Sequence, residues 1–212
     1  FGGKSANRQV VEAARLSKLT GKPVQVAWSR KEEFFFDMFR PSAIVKIKSG
    51  ITDKGKMSLW DYRVYFAGQR GSEHFYDIPH HTTTAYGQGW TAPGVHPFAT
   101  GPWRAPSNNT NTFARESQID IMAAKAGIDP LEFRLRNLKD EKIRRVLKTA
   151  AEKFRWKPAK APSGNGQGIA CGIDAGTYVA TMAEVDVDKQ TGNVRVKRVV
   201  CAQDMGLVVN PE

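Results

Sequence analysis

Three helix patterns follow one another without interruption in the second half of this chain, and strand-like alternation lies on both sides of them. Few folds satisfy that order. Residues 109–126 form the first pattern, with Phe113, Ser117, Ile121 and Ala124 stepping round one face. Gly127-Ile128-Asp129-Pro130 stops it. Asp129 can cap the next helix, with Pro130 at its first position and Glu132 in its first turn. That helix covers 131–137, and a third covers 141–154 with Ile143, Val146, Leu147 and Ala150 on its apolar side. Ahead of this block, 43–48 and 57–66 alternate around the turn Thr52-Asp53-Lys54-Gly55, which is the clearest hairpin in the chain. Behind it, 169–187 and 194–201 alternate around the turn at 189–193. Strands and helices mix without strict βαβ alternation, so the expected class is α+β.

The remaining segments are less regular. Residues 6–19 read as a helix carrying Val10, Val11, Ala14 and Leu19, closed by Thr20-Gly21-Lys22-Pro23. Residues 24–28 then alternate like a strand. Phe34, Phe35, Phe36 and Phe39 are expected in the core. Residues 68–108 form a long irregular stretch rich in glycine and proline, and they hold all four histidines. A stretch of that kind is more often functional than idle. The lysine-, proline- and glycine-rich run at 157–168 is expected to be a linker dividing the chain into subdomains 1–156 and 169–212. Phe at position 1 and an uncapped end at 208–212 make the chain read as a piece of a longer polypeptide.

Composition removes several classes. The 212 residues are 41% apolar and 25% charged, which excludes disorder throughout. No apolar run reaches the roughly 18 residues of a membrane span. Two cysteines, Cys171 and Cys201, exclude an all-cysteine metal or iron–sulfur site and are expected to be buried. The net charge of +11 keeps polyanions in view, yet the basic residues follow no nucleic-acid-binding motif. The histidines lack metal-ligand spacing, and adjacent His80 and His81 would point to opposite faces of a strand. Gly164 to Gly168 is not a phosphate loop. Two short motifs remain. Phe1-Gly2-Gly3 precedes a helix and can bring backbone N–H groups close to a ligand. Gly101-Pro102-Trp103-Arg104-Ala105-Pro106-Ser107 stiffens a loop around one arginine, a group suited to oxo or phosphate recognition.

These residues carry a family likeness. F-G-G-K at 1–4, G-K-P-V-Q-V-A-W-S-R at 21–30 and F-R-P-S-A at 39–43 come first. G-P-W-R-A-P-S-N-N at 101–109, F-A-R-E-S-Q-I-D at 113–120 and G-I-D-P-L-E-F-R-L-R-N-L at 127–138 follow. G-T-Y-V-A-T-M-A-E-V at 176–185 and D-M-G-L-V-V-N-P at 204–211 complete the set. In this order the chain resembles the molybdopterin-binding large subunit of the xanthine dehydrogenase/aldehyde oxidase family. Within that family it is most similar to the isoquinoline 1-oxidoreductase beta chains.

The resemblance implies the α+β molybdenum-cofactor-binding fold, in two subdomains. It implies a molybdopterin, the cytosine dinucleotide form included, and 2Fe-2S clusters on a separate small subunit. It implies oxidation of an N-heterocycle or an aldehyde with oxygen from water. Phe1, Gly2 and Gly3 match the family's loop beside the molybdenum, and Arg104 matches the arginine of its second cofactor loop. Ser5 stands where purine-oxidising members carry glutamate, and Pro106 where they place a stacking phenylalanine, so xanthine is not the expected substrate. Ser5, Trp103, Ala105 and Pro106 become candidate pocket residues. The family's base glutamate is expected beyond Glu212, and no direct metal ligand falls in this chain. No nucleic-acid partner or membrane span is implied. The compartment stays open, with a cytoplasmic location favoured over a periplasmic one. The alternative from another class is a non-catalytic basic module binding nucleic acid or an acidic protein.

Overall fold

Gly55 closes the first hairpin with a φ of 70°, in the turn the sequence marks. A Cβ there would lie 2.2 Å from Ile128 Cδ1, so the turn also needs glycine to pack against the connection between the first two helices of the helical block. These and all following positions come from a computed structural model, which describes residues 8–87, 96–157 and 164–210. In chain order the elements are α1 (Arg8–Thr20), α2 (Arg30–Phe36), β1 (Ile44–Ile51), β2 (Met57–Tyr65) and β3 (His80–Tyr86). The helical block follows as α3 (Asn108–Ala126), α4 (Pro130–Arg136) and α5 (Glu141–Phe154). The last part is β4 (Asn165–Asp174), β5 (Thr177–Val187) and β6 (Val194–Asp204).

The strands form two three-stranded sheets. In the first, β1 and β2 are antiparallel and β3 adds to β2 in parallel. The second, β4-β5-β6, is an antiparallel meander. A register slip opposite Gly50 and Ile51 puts an extra residue in β2. Met57 and Trp60 are therefore both buried although three residues apart, and Tyr62 and Val64 continue that face. Helix α3 packs on β1 and β4 and so joins the sheets, while α5 covers β5 and β6. Ile143, Val146, Leu147, Ala150 and Phe154 of α5 are buried together, as the sequence spacing anticipates. Asp140 caps this helix by accepting from Lys142 N at 2.7 Å, and Asp129 caps α4 by accepting from Leu131 N at 2.9 Å.

Several expectations change. Residues 24–28 keep alternating burial but pair with no strand among the described residues. The long stretch at 68–108 contains β3, which pairs in parallel with the preceding strand β2. Phe34 and Phe35 are each 76% exposed, and Phe36 and Phe39 are exposed as well, so this cluster is not core. Helix α3 turns a different face inward from the one its apolar residues mark. Phe113 and Ile121 are exposed, whereas Asn111, Arg115, Glu116, Ile119 and Met122 are buried. Cys171 is buried and Cys201 is exposed. Of the linker expected at 157–168, residues 158–163 lie outside the described residues and Asn165 to Gly168 open β4.

Candidate cofactor loop

The inward face of α3 is polar because its groups satisfy one another. Glu116 accepts from Arg115 Nε at 3.1 Å, Arg134 Nε at 3.0 Å, the Tyr76 hydroxyl at 3.2 Å and the Cys171 backbone N at 3.1 Å. Arg134 is fully buried and also donates to Asp120 at 2.7 Å and to Ile169 O at 3.0 Å. One carboxylate thus ties α3, α4, β4 and the approach to β3. Burial pushes the Cys171 thiol and the Tyr76 hydroxyl up, so both stay protonated at neutral pH. Cys171 is a packed thiol with a hydrogen-bonding role, not an exposed nucleophile.

Toward its N-terminus the same face fixes the loop before it. Asn111 donates to Gly68 O at 3.2 Å and Arg70 O at 2.9 Å, and accepts from the Tyr62 hydroxyl at 2.8 Å. Arg115 Nη1 donates to Gly71 O at 2.9 Å. Gly71 has a φ of 79°, and a Cβ there would meet Asn108 Oδ1 at 2.6 Å and Asn108 Cα at 2.9 Å. The first turns of α3 are therefore locked to the 68–71 turn and to β2.

The loop at 101–107 hangs from this anchored helix. Ala105 and Ser107 take φ values of 54° and 62°, each costing about 1 kcal/mol or more for a residue with a Cβ. Asn109 N donates to Ala105 O at 3.2 Å, and Asn111 N donates to Ser107 O at 3.0 Å. At its other end, Gly101 N donates to Phe39 O at 3.1 Å and Phe39 N donates to Ala99 O at 2.9 Å. Gly101 is buried against Met38, and a Cβ on it would fall 2.3 Å from Met38 Sδ. Between these fixed ends, Trp103, Arg104, Ala105 and Pro106 line an open cleft of about 500 Å³. Trp103 is half exposed and also borders a second cleft of about 230 Å³ beside Phe34, Phe39 and Arg40. Arg104 is exposed and joins no ion pair among the described residues.

The four candidate residues Trp103, Arg104, Ala105 and Pro106 thus share one cleft. Phe1, Gly2, Gly3 and Ser5 lie outside the described residues. Among the described residues no group of three His, Cys, Asp or Glu side chains could hold a metal ion. Two histidines do meet. His74 and His81 lie edge to face with ring centroids 4.5 Å apart, and each Nδ1 is 3.0 Å from a backbone carbonyl, of Tyr76 and Ile78 respectively. Asn108, Arg115 and Glu116 fall within the runs 101–109 and 113–120, but no motif there assigns an anchoring role to them or to Asn111. The run of polar residues at helical spacing, N-N-x-N-x-x-x-R-E, is the signal that marks them.

The chain as a whole is similar to known proteins. Models of a molybdopterin cofactor-binding domain match residues 1–138 and 110–212. A subunit of nicotinate dehydrogenase from Pseudomonas putida is 28% identical across the whole chain, which spans 21% of that protein. The beta chain of isoquinoline 1-oxidoreductase from Brevundimonas diminuta is 26% identical, again across the whole chain, which spans 29% of it. The aldehyde oxidoreductase of Desulfovibrio gigas superposes with a TM-score of 0.55 at 20% identity, over 92% of this chain and 25% of its own. Quinoline 2-oxidoreductase from Pseudomonas putida 86 superposes with a TM-score of 0.58 at 18% identity, over 88% of this chain and 30% of its own. The chain therefore spans less than a third of the length of each of these proteins.

Proposed function

Because the chain belongs to the molybdopterin-binding part of the xanthine dehydrogenase/aldehyde oxidase family, we propose that its 101–107 loop holds the cofactor of a molybdenum hydroxylase. The observation that carries the reading is Arg104, an exposed guanidinium with no carboxylate partner among the described residues, on a loop fixed at both ends. The residues fit such a group. Arg104 offers a planar fork of donors to the oxo and phosphate oxygens of a molybdopterin. Trp103 offers a flat apolar wall beside it, and Ala105 and Ser107, both at positive φ, are tied by their carbonyls to the first amides of α3. Phe1, Gly2 and Gly3, which lie outside the described residues, are proposed as the second half of the cradle through their backbone N–H groups.

When bound, the cofactor supplies oxidation of a carbon beside a ring nitrogen, or of an aldehyde carbon, with oxygen drawn from water. This chain's own part is to bind, orient and shield it. The proposed substrate is an N-heterocycle or an aldehyde. Ser5 and Pro106 in place of the purine-binding residues support that choice over xanthine, and the names of the nicotinate, isoquinoline and quinoline enzymes support the heterocycle. Electrons would leave through 2Fe-2S clusters on a small partner subunit, and the base glutamate would come from outside these residues. Nothing in the comparisons supports the alternative of a basic module for nucleic acid or an acidic protein.

The test is turnover of quinoline, isoquinoline, nicotinate and benzaldehyde by the full-length protein with its partner subunit, in ¹⁸O-labelled water. The expected result is one labelled oxygen in the product of at least one substrate. Product carrying oxygen from O₂ instead would contradict a hydroxylase of this kind.

A further inference from the structure

A second arginine reaches the cofactor loop from far away in sequence. Arg40 Nη2 donates to the carbonyl of Arg104 at 3.3 Å, across a separation of 64 residues. The flanking residues of Arg40 grip the same loop. Phe39 and Thr100 form an isolated parallel bridge, secured by Phe39 N to Ala99 O and by Gly101 N to Phe39 O. On the other side of Phe39, Met38 packs so closely on Gly101 that no Cβ would fit there. Behind Arg40, Pro41 continues the contact, leaving a gap of only about 10 Å³ against Gly101, Trp103 and Pro106. Like Arg104, Arg40 joins no ion pair among the described residues. Its guanidinium therefore has the Arg104 carbonyl as its protein partner there.

We infer that Arg40 is a positioning residue, which sets the direction of Arg104 by holding the carbonyl of that same residue. The inference rests on the reading that Arg104 faces the cofactor. The physical logic is local. A hydrogen bond to the Arg104 carbonyl fixes the peptide plane after Arg104, in the one span of the loop that neither the Gly101 bridge nor the α3 amides restrain. A charged donor makes that bond stronger than a neutral one would. Arg40 also brings a second positive charge to the loop without neutralising the first, so the local potential for an anionic ligand rises.

The experiment uses full-length protein from molybdate-replete cells, as wild type and as Arg40→Met, Arg40→Lys and Arg104→Ala. Molybdenum release is followed over time in mild denaturant. Melting temperatures are taken on cofactor-free protein from molybdate-starved cells. The expected result for Arg40→Met is release about tenfold faster, as for loss of one charge-assisted bond. Arg40→Lys should fall between it and wild type, and the cofactor-free melting temperature should be unchanged because Arg40 is exposed. Wild-type release from Arg40→Met, with Arg104→Ala losing its molybdenum, would overturn the inference and leave the Arg104 reading standing. Wild-type retention by Arg104→Ala would overturn both. A lowered cofactor-free melting temperature for Arg40→Met would reassign Arg40 to the fold and overturn the positioning role.

Discussion

Glu116 joins more elements by hydrogen bonds than its place on a polar helix face suggests. It is 4% exposed and receives two arginines, a tyrosine hydroxyl and a backbone amide. Removing its charge leaves Arg115 buried without its carboxylate partner and Arg134 with Asp120 alone. Glu116→Gln should cost about 3–5 kcal/mol, read from the urea unfolding midpoint; a midpoint within error of wild type would contradict the hub. This residue was not legible in the sequence because periodicity counts apolar side chains. Phe113 and Ile121 gave α3 a plausible face, and that face does not include the Arg115–Glu116 pair. His74 makes a second residue-scale case. Burial, then the neighbouring His81, then Arg115, hold its imidazole below the usual value, and its backbone hydrogen bond to Tyr76 opposes them. The folded protein then binds fewer protons here than the unfolded chain, so stability falls as pH drops through about 6.5. His74→Gln should flatten the change in melting temperature between pH 7.5 and 5.5. An equally steep change in the variant would remove His74 as its source.

Capped helices and tight turns were the legible elements. Asp129 caps α4, Gly55 turns the first hairpin, and the apolar stripe of α5 is buried as spaced. Their signals are local, so a few adjacent residues suffice. Strand β3 was not legible: His-His-Thr-Thr-Thr-Ala-Tyr pairs in parallel with β2, through a connection no hairpin rule describes. Residues 24–28 failed in the opposite sense, alternating correctly but pairing with no strand among the described residues. The 101–107 loop was legible by composition, but its fastening to Met38 and Phe39 was not. That fastening gives the element-scale prediction. Gly101→Ala would put a methyl against Met38 and should destabilise the protein by about 1–3 kcal/mol. Adding Met38→Ala should recover part of that loss, measured as a double-mutant cycle. Strictly additive losses would mean that the two residues do not share the contact.

Across the molecule, the apolar surface is uneven. Val10, Leu19, Phe34 and Phe35 are more than half exposed, while the two sheets and α3 to α5 enclose a common core. The class of fold and the family were legible because the matching motifs recur in one order along nearly the whole chain. The exposed phenylalanines were not, because burial depends on neighbours that a run of three aromatics does not specify. The central proposal is that the Arg104 loop faces an anionic cofactor. Molybdenum per polypeptide tests it most directly, measured by elemental analysis on the full-length protein from molybdate-replete cells, as wild type and as Arg104→Ala. Near-stoichiometric metal in the wild type and a large loss in Arg104→Ala are expected. Wild-type protein without molybdenum, or Arg104→Ala with a full complement, would contradict it.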